Sequence, residues 1–369
     1  MPSPLALTPR TIRLLIIGIL VLAALSAYRL FYAPPPGTST SFSGRTMGTT
    51  WSVHLASETL GPAGMRQATA AVQTALDEVV ASMSSWESGS ELSLFNASSS
   101  TQPQAVSASI LSVLSVAQTV SEKTQGAFDV TVSPLVEAWG FGTAEIPDRP
   151  PSQAEITHLL DQTGYRQLVL NPAQSTLTKQ EARVQIDLSA IAKGYGVDRA
   201  AQALDELGYA NYLVEVGGEL RARGRRLDRQ LWRVAIESPS DGVRGIHRIL
   251  NLEDIAMATS GDYRNSYESE GRWVSHTLNP HTGRPIEHGL ASVSVLHASA
   301  TWADAWATAL NVLGPNAGYA RAEEEDLAAY FIVREPTGDP FSVRMTPAFA
   351  RYLGRVESQI NPPTIAPGE

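Results

Sequence analysis

Apolar residues recur along this chain at two spacings, one suited to helices and one to strands. Helical spacing runs from Met65 to Met83 on Ala, Val, Leu and Met. It returns from about Ser107 to Thr124, where Lys123 occupies the last turn and Gly126 ends it. A short helix is predicted over Ser152 to Thr163, an alanine-rich one ending at Leu207, and one built on small residues over Ser299 to Leu310. Alternation, or β-branched and aromatic content, predicts strands over Arg45 to Val53, Ala182 to Ile186 and Trp232 to Ile236, a strand from Tyr212 that stops at Gly217-Gly218, and a further strand that leads from Trp273 into His276. Leu168–Leu170 with Thr176–Thr178 reads as a hairpin, whereas Ser84 to Asn96 and Ala258 to Arg264 read as loop and turn. This mixture places the chain in the α+β class.

One apolar stretch fits neither spacing. Leu14 to Ala27 is continuous, follows Arg10 and Arg13, and is extended around Arg29 to Ala33. At about 1.5 Å per residue, Leu14 to Ala33 would cross a hydrocarbon core of about 30 Å. Residues 1–33 are therefore predicted to be an uncleaved signal anchor. The competing reading is a signal peptide, because Ala24-Leu25-Ser26 offers a peptidase small residues. The positive charge before the run places the rest of the chain across the inner membrane, facing the periplasm. Proline and Ser/Thr content marks 34–43 as a linker, 44–357 as the globular domain and 358–369 as a disordered tail.

Composition narrows the chemistry. Hydrophobic content of 43% and charged content of 18% over 369 residues describe an ordinary globular protein. A net charge of −9, with no basic stripe, argues against nucleic acid as a partner. The absence of cysteine removes thiol nucleophiles, thiolate-bound zinc, iron–sulfur clusters, disulfides and a lipidated N-terminal cysteine.

Candidate chemistry concentrates in a few segments. Asp187 to Arg199 holds a carboxylate, a hydroxyl, Lys193 and two glycines at an expected strand-to-helix turn, which reads either as a phosphate cradle or as a tight turn with a surface lysine. Asp129 lies between Phe128 and Val130, as a structural cap or as an acceptor for a ligand's donors. Trp86 reads as a core anchor in preference to a stacking platform. Gly217-Gly218 is a hairpin turn or a point of close backbone approach. His276, between a strand and a turn-rich loop, is the best base candidate, against a purely structural role. Asp304 and Thr308 share one helix face, and a carboxylate with a hydroxyl suits Mg²⁺.

In order along the chain, Met47-Gly-Thr-Thr, Ser90-Glu-Leu-Ser with Asn96, Gly126-Ala-Phe-Asp-Val-Thr-Val, Trp139-Gly-Phe-Gly, Asp187-Leu-Ser-Ala-Ile-Ala-Lys-Gly-Tyr, Val216-Gly-Gly-Glu, Thr259-Ser-Gly-Asp-Tyr, Ser275-His-Thr-Leu and Ala303-Asp-Ala with Thr308 resemble the ApbE family of FAD:protein FMN transferases. The resemblance implies a mixed α/β fold with antiparallel sheets and packed helices. It implies an enzyme that splits FAD and joins FMN through a phosphoester to a threonine of a partner protein, a flavin-carrying subunit of a membrane or periplasmic electron-transfer complex, with release of AMP. By the same resemblance Met47 and Asp187 would contact the adenosine end. Ala127, Phe128 and Asp129 would line the FAD, Trp86 would lie along it, and Lys193 and Leu278 would complete the pocket. Asp304, Thr308 and the Ala190 carbonyl would hold Mg²⁺ or Ca²⁺, and His276 would deprotonate the threonine. Leu278-Asn279-Pro280 departs from the family's usual Leu-Asp-Pro, where asparagine can still form the turn. The alternatives are an FAD pyrophosphatase and a non-catalytic FAD-delivery protein.

Overall fold

The computed structural model describes residues 39–360 apart from 58–59, 144–145, 240–244, 263–265, 270–271 and 336–339. The proposed anchor at 1–33, the first part of the linker, residues 361–369 of the tail, and Tyr263 and Arg264 lie outside the described residues. Among the described residues no helix is long and apolar enough to cross a membrane.

The frame is an eight-stranded sheet of β1 (Ser39–Thr46), β2 (Thr49–Ala56), β3 (Tyr212–Val216), β4 (Glu219–Arg223), β5 (Ile255–Gly261), β6 (Leu290–His297), β7 (Ala328–Arg334) and β8 (Phe341–Met345). Its strands lie side by side in chain order, and every neighbouring pair is antiparallel. The insertions between strands carry the helices α1 (Pro62–Met83), α2 (Glu91–Ala97), α3 (Ala108–Lys123), α4 (Ser133–Ala138), α5 (Gln153–Leu160), α6 (Ala192–Glu206) and α7 (Ala300–Glu324). The final helix, α8 (Pro347–Ile360), follows the last strand. Helices α1, α3, α6 and α7 bury one face of the sheet through residues such as Leu76, Val113, Val197 and Leu310. The hairpin of Trp232–Ser238 and Gly245–Leu252 covers the other face together with α8, through Trp232, Leu250 and Phe349. β6 lies between the two layers and is buried from Leu290 to Leu296, as a strand covered on both sides must be.

Several expectations need correcting. Arg45 to Val53 is a hairpin and not one strand: Met47 and Gly48 adopt φ of 47° and 69°, the left-handed pair that a tight hairpin turn requires. The strand also begins at Ser39, inside the expected linker, because pairing with β2 outweighs Ser/Thr composition. Ala258 to Gly261 belongs to β5, paired with β6, so its hydroxyls sit on a strand. Part of Ser84 to Asn96 is α2, capped when Ser90 Oγ accepts from Ser93 N at 3.0 Å. Helix α8 carries Ser358 to Ile360, the first residues of the expected tail, because its inward face packs through Phe349, Tyr352 and Val356. Ala182 to Ile186 joins no sheet. There the Asn96 side chain takes the place of a partner strand, donating from Nδ2 to Ile186 O and accepting from Ile186 N, each at 2.8 Å.

The glycines of the Asp187 stretch also lie elsewhere than expected. Gly194 and Gly196 sit inside α6, not at the turn before it. A Cβ at Gly194 would fall 2.3 Å from the Ala300 carbonyl oxygen and 2.7 Å from Asp304 Cβ, so α6 and α7 touch there backbone to backbone. Gly194→Ala is expected to lower stability by about 1–3 kcal/mol, despite alanine's better helix propensity, because the obstructing atoms are main chain. Chemical denaturation checks this; an unchanged or raised midpoint would contradict it.

Candidate active site

These elements enclose a cavity of about 1060 Å³, at the upper end of the range for small-molecule pockets. All twelve candidate site residues named above line it.

At one side, the β1–β2 turn presents Met47, whose Cε rests on Gly196, a position where a Cβ would come within 2.8 Å. Trp86 is 68% exposed at the cavity wall, which corrects the reading of a core anchor. Its backbone N donates to Ser84 Oγ at 3.1 Å, so a capped turn positions the ring. The Ala127-Phe128-Asp129 wall is fixed by the acid. Asp129 Oδ1 accepts from Thr131 N at 2.8 Å and Thr131 Oγ1 at 2.6 Å, and Oδ2 accepts from Tyr165 N at 2.8 Å. Asp129 is thus a structural cap that also borders the cavity, and burial pushes its carboxyl above the usual range.

Next to this wall lies the turn before α6. Asp187 N donates to Val130 O at 2.7 Å, and Asp187 Oδ1 accepts from Ser189 N at 2.7 Å, a local bond that closes the turn leading into Ala190. Desolvation raises the Asp187 carboxyl. Lys193, on the first turn of α6, pairs with Glu219, which is 2% exposed and also accepts from Thr259 N at 3.1 Å. Both readings of Gly217-Gly218 hold: φ values of 58° and 104° make the β3–β4 hairpin turn, and a Cβ at Gly217 would come within 3.2 Å of Lys193 Cδ. Glu219 is a partner of this lysine that the motif pattern leaves without a role. Its signal in the sequence was an acid placed directly after two glycines. Tyr267 and Ser260, which also line the cavity, carried no such signal.

The third wall is α7. Asp304 is 4% exposed and its Oδ2 accepts from Gly194 N at 2.8 Å. Burial pushes its carboxyl up to about 7, with Lys193 opposing the shift and Glu219 adding to it. When both are ionised, the Asp304 and Glu219 carboxylates outweigh the Lys193 ammonium by one negative charge. One helical turn on, Thr308 adds a hydroxyl, and Ala190 a carbonyl, to the same cavity. That donor set is all hard oxygen beside surplus negative charge, and it fits a divalent cation of the Mg²⁺ or Ca²⁺ kind. Among the described residues no group of three or more His, Cys, Asp or Glu side chains could hold a metal ion.

Beside α7, whose Asn311 Nδ2 donates to Thr277 Oγ1 at 3.4 Å, the loop of His276 to Leu278 lines the cavity. The half-buried His276 ring meets Phe141 edge to face, with centroids 6.3 Å apart and planes at 70°. Asn279 forms the turn expected of it: its Oδ1 accepts from His281 N at 2.9 Å, and its carbonyl accepts from Gly283 N at 2.9 Å.

The comparisons agree with this architecture. The model of the ApbE family matches residues 47–331. A protein of Vibrio cholerae called FAD:protein FMN transferase is 40% identical over 320 residues, covering 87% of this chain and 94% of its own. One of the same name from Haemophilus influenzae is 38% identical over 315 residues, covering 84% and 90%. The solved structure of flavin transferase ApbE from Vibrio cholerae superposes with a TM-score of 0.78 at 38% identity, covering 86% of this chain and 99% of that one.

Proposed function

The chain belongs to the ApbE family, and we propose that it splits FAD and transfers the FMN half to a threonine hydroxyl of a partner protein, releasing AMP. The observation that carries this reading is the meeting, in one cavity, of a base candidate, an ammonium, a hard-oxygen donor set and an exposed tryptophan. Storage of a flavin needs neither the base nor the donor set.

In the proposed step the threonine Oγ attacks the phosphorus on the FMN side of the pyrophosphate, and its proton passes to His276. The P–O bond to AMP breaks, and AMP leaves with the bridging oxygen. A pyrophosphate repels an oxygen nucleophile, so positive charge beside it lowers the barrier. Lys193, held by Glu219, supplies one such charge. Asp304, Thr308 and the Ala190 carbonyl would hold Mg²⁺, which when bound polarises a phosphoryl oxygen. Met47 and Asp187 take the adenosine end. Ala127, Phe128, Asp129 and Leu278 shape the pocket, and Trp86 stacks on the flavin nucleotide. The partner is a flavin-carrying subunit of a membrane or periplasmic electron-transfer complex. The enzyme is held at the inner membrane by its N-terminal segment, with the cavity on the periplasmic side.

Two results test this reading. With FAD and Mg²⁺, AMP release is expected to depend on a threonine-containing acceptor; release at the same rate without one would make the chain a pyrophosphatase. Trp86→Ala is expected to raise KM for FAD about tenfold, since aromatic stacking of a base is worth about 1–3 kcal/mol. An unchanged KM in steady-state kinetics would remove Trp86 from the binding site.

A further inference from the structure

We infer that Asp198, which lines no part of the cavity, is the positioning residue that sets the register of α7 against α6 and so assembles the metal donors. This rests on the reading of Ala190, Asp304 and Thr308 as metal ligands. Asp198 lies on α6 and accepts five hydrogen bonds. Its Oδ1 takes Arg221 Nη1 at 2.7 Å and Ala300 N at 3.0 Å, and its Oδ2 takes Ser299 Oγ at 2.6 Å, Thr301 N at 2.9 Å and Thr301 Oγ1 at 2.7 Å. Four of the five come from the first residues of α7 and its cap, whose unpaired N–H groups seek an anionic acceptor. The fifth, from Arg221 on β4, ties the junction to the strand whose first residue, Glu219, holds Lys193.

The spacing shows why this cap reaches the site. Asp198 meets Ala300; four residues back along α6, Gly194 N meets Asp304 Oδ2 at 2.8 Å. Four further back is Ala190, at the entry to α6, and four further on along α7 is Thr308; both line the cavity. The two helices thus run as an antiparallel pair with matched four-residue steps, and the proposed ligands occupy the second and third. Residues four apart share one helix face, so a slip or rotation of α7 at the Asp198 step would carry Asp304 and Thr308 away from Ala190 together.

The test is titration calorimetry of Mg²⁺ alone into the full-length chain, paired with steady-state transfer kinetics. Asp198→Asn replaces one accepting oxygen with an N–H donor facing other donors. It is expected to weaken Mg²⁺ binding about 10- to 100-fold, the range for partners that orient metal ligands, with kcat recovering at saturating Mg²⁺ and FAD binding unchanged. Ser299→Ala and Thr301→Val each remove one donor to the same carboxylate and are expected to shift Mg²⁺ affinity in the same direction by less, which keeps the test open if Asp198→Asn does not fold. Ser152→Ala, which uncaps the remote α5, is expected to lower the melting temperature without moving Mg²⁺ affinity. If the Asp198, Ser299 and Thr301 variants lose melting temperature but bind Mg²⁺ as wild type does, Asp198 is only a helix cap and the inference falls. If the wild type itself binds no Mg²⁺, the metal reading fails first and this inference with it.

Discussion

His276→Ala is expected to cut FMN transfer to a protein acceptor by about 10²–10⁴-fold, the usual contribution of a positioned general base, while FAD and Mg²⁺ still bind. The reason is chemical. A threonine hydroxyl is a poor nucleophile near neutral pH, and its attack on an anionic phosphoryl group needs the proton removed as the bond forms. His276 sits on a cavity-lining loop, with Phe141 against one side of its ring. The loss is expected in kcat, because the histidine acts on the acceptor's proton and not on FAD affinity. Transfer rates followed by flavin fluorescence on the acceptor check this. A wild-type rate in the variant would favour a protein that only delivers flavin.

Asp304→Asn is expected to be the other severe change. Loss of a bound cation removes several kcal/mol of charge stabilisation in the transition state, which at about 1.4 kcal/mol per decade is on the order of 10³-fold in rate. Stability should move the other way. The Asp304 carboxylate is buried against Glu219, and burial pushes its carboxyl up to about 7, which means that the charged form costs stability as pH rises toward neutrality. An amide in its place retains an oxygen to accept from Gly194 N and carries no charge. Metal-free Asp304→Asn is therefore expected to melt no lower than the metal-free wild type, while added Mg²⁺, which should raise the wild-type midpoint, leaves the variant where it is. A variant that still gains stability from Mg²⁺ would place the cation elsewhere.

Much of this site was legible because short motifs carry their chemistry in residue type: Asp304 with Thr308 one turn apart, His276 before a turn, Lys193 after Asp187. Their convergence was not. Met47 and Thr308 lie 261 positions apart in number, and nothing local brings their segments together. The sheet does so in part: its strands lie in chain order and run antiparallel, so every second connection returns to the same end, which brings the β1–β2 turn with Met47, the β3–β4 turn and the β5–β6 connection with His276 together. Local pattern also misread the Asp187 stretch. Alternation over Ala182 to Ile186 suggested a strand, but the backbone of Ile186 is paired by the Asn96 side chain, a substitution that periodicity cannot reveal. The glycines there suggested a phosphate-binding turn, whereas Gly194 makes room for the Ala300 carbonyl of a helix more than a hundred residues on. A lone tryptophan is more often buried than not, so the sequence points Trp86 to the core; its exposed place at the cavity wall depends on walls that only the assembled fold brings together.

In the proposed reaction a threonine of another protein receives FMN through a phosphoester. Peptide mass spectrometry of that acceptor, isolated from cells with the intact gene and from cells lacking it, tests this most directly. An FMN-bearing threonine peptide is expected in the first and the same peptide unmodified in the second. Equal modification in both, or free FMN and AMP with no modified peptide in either, would contradict it.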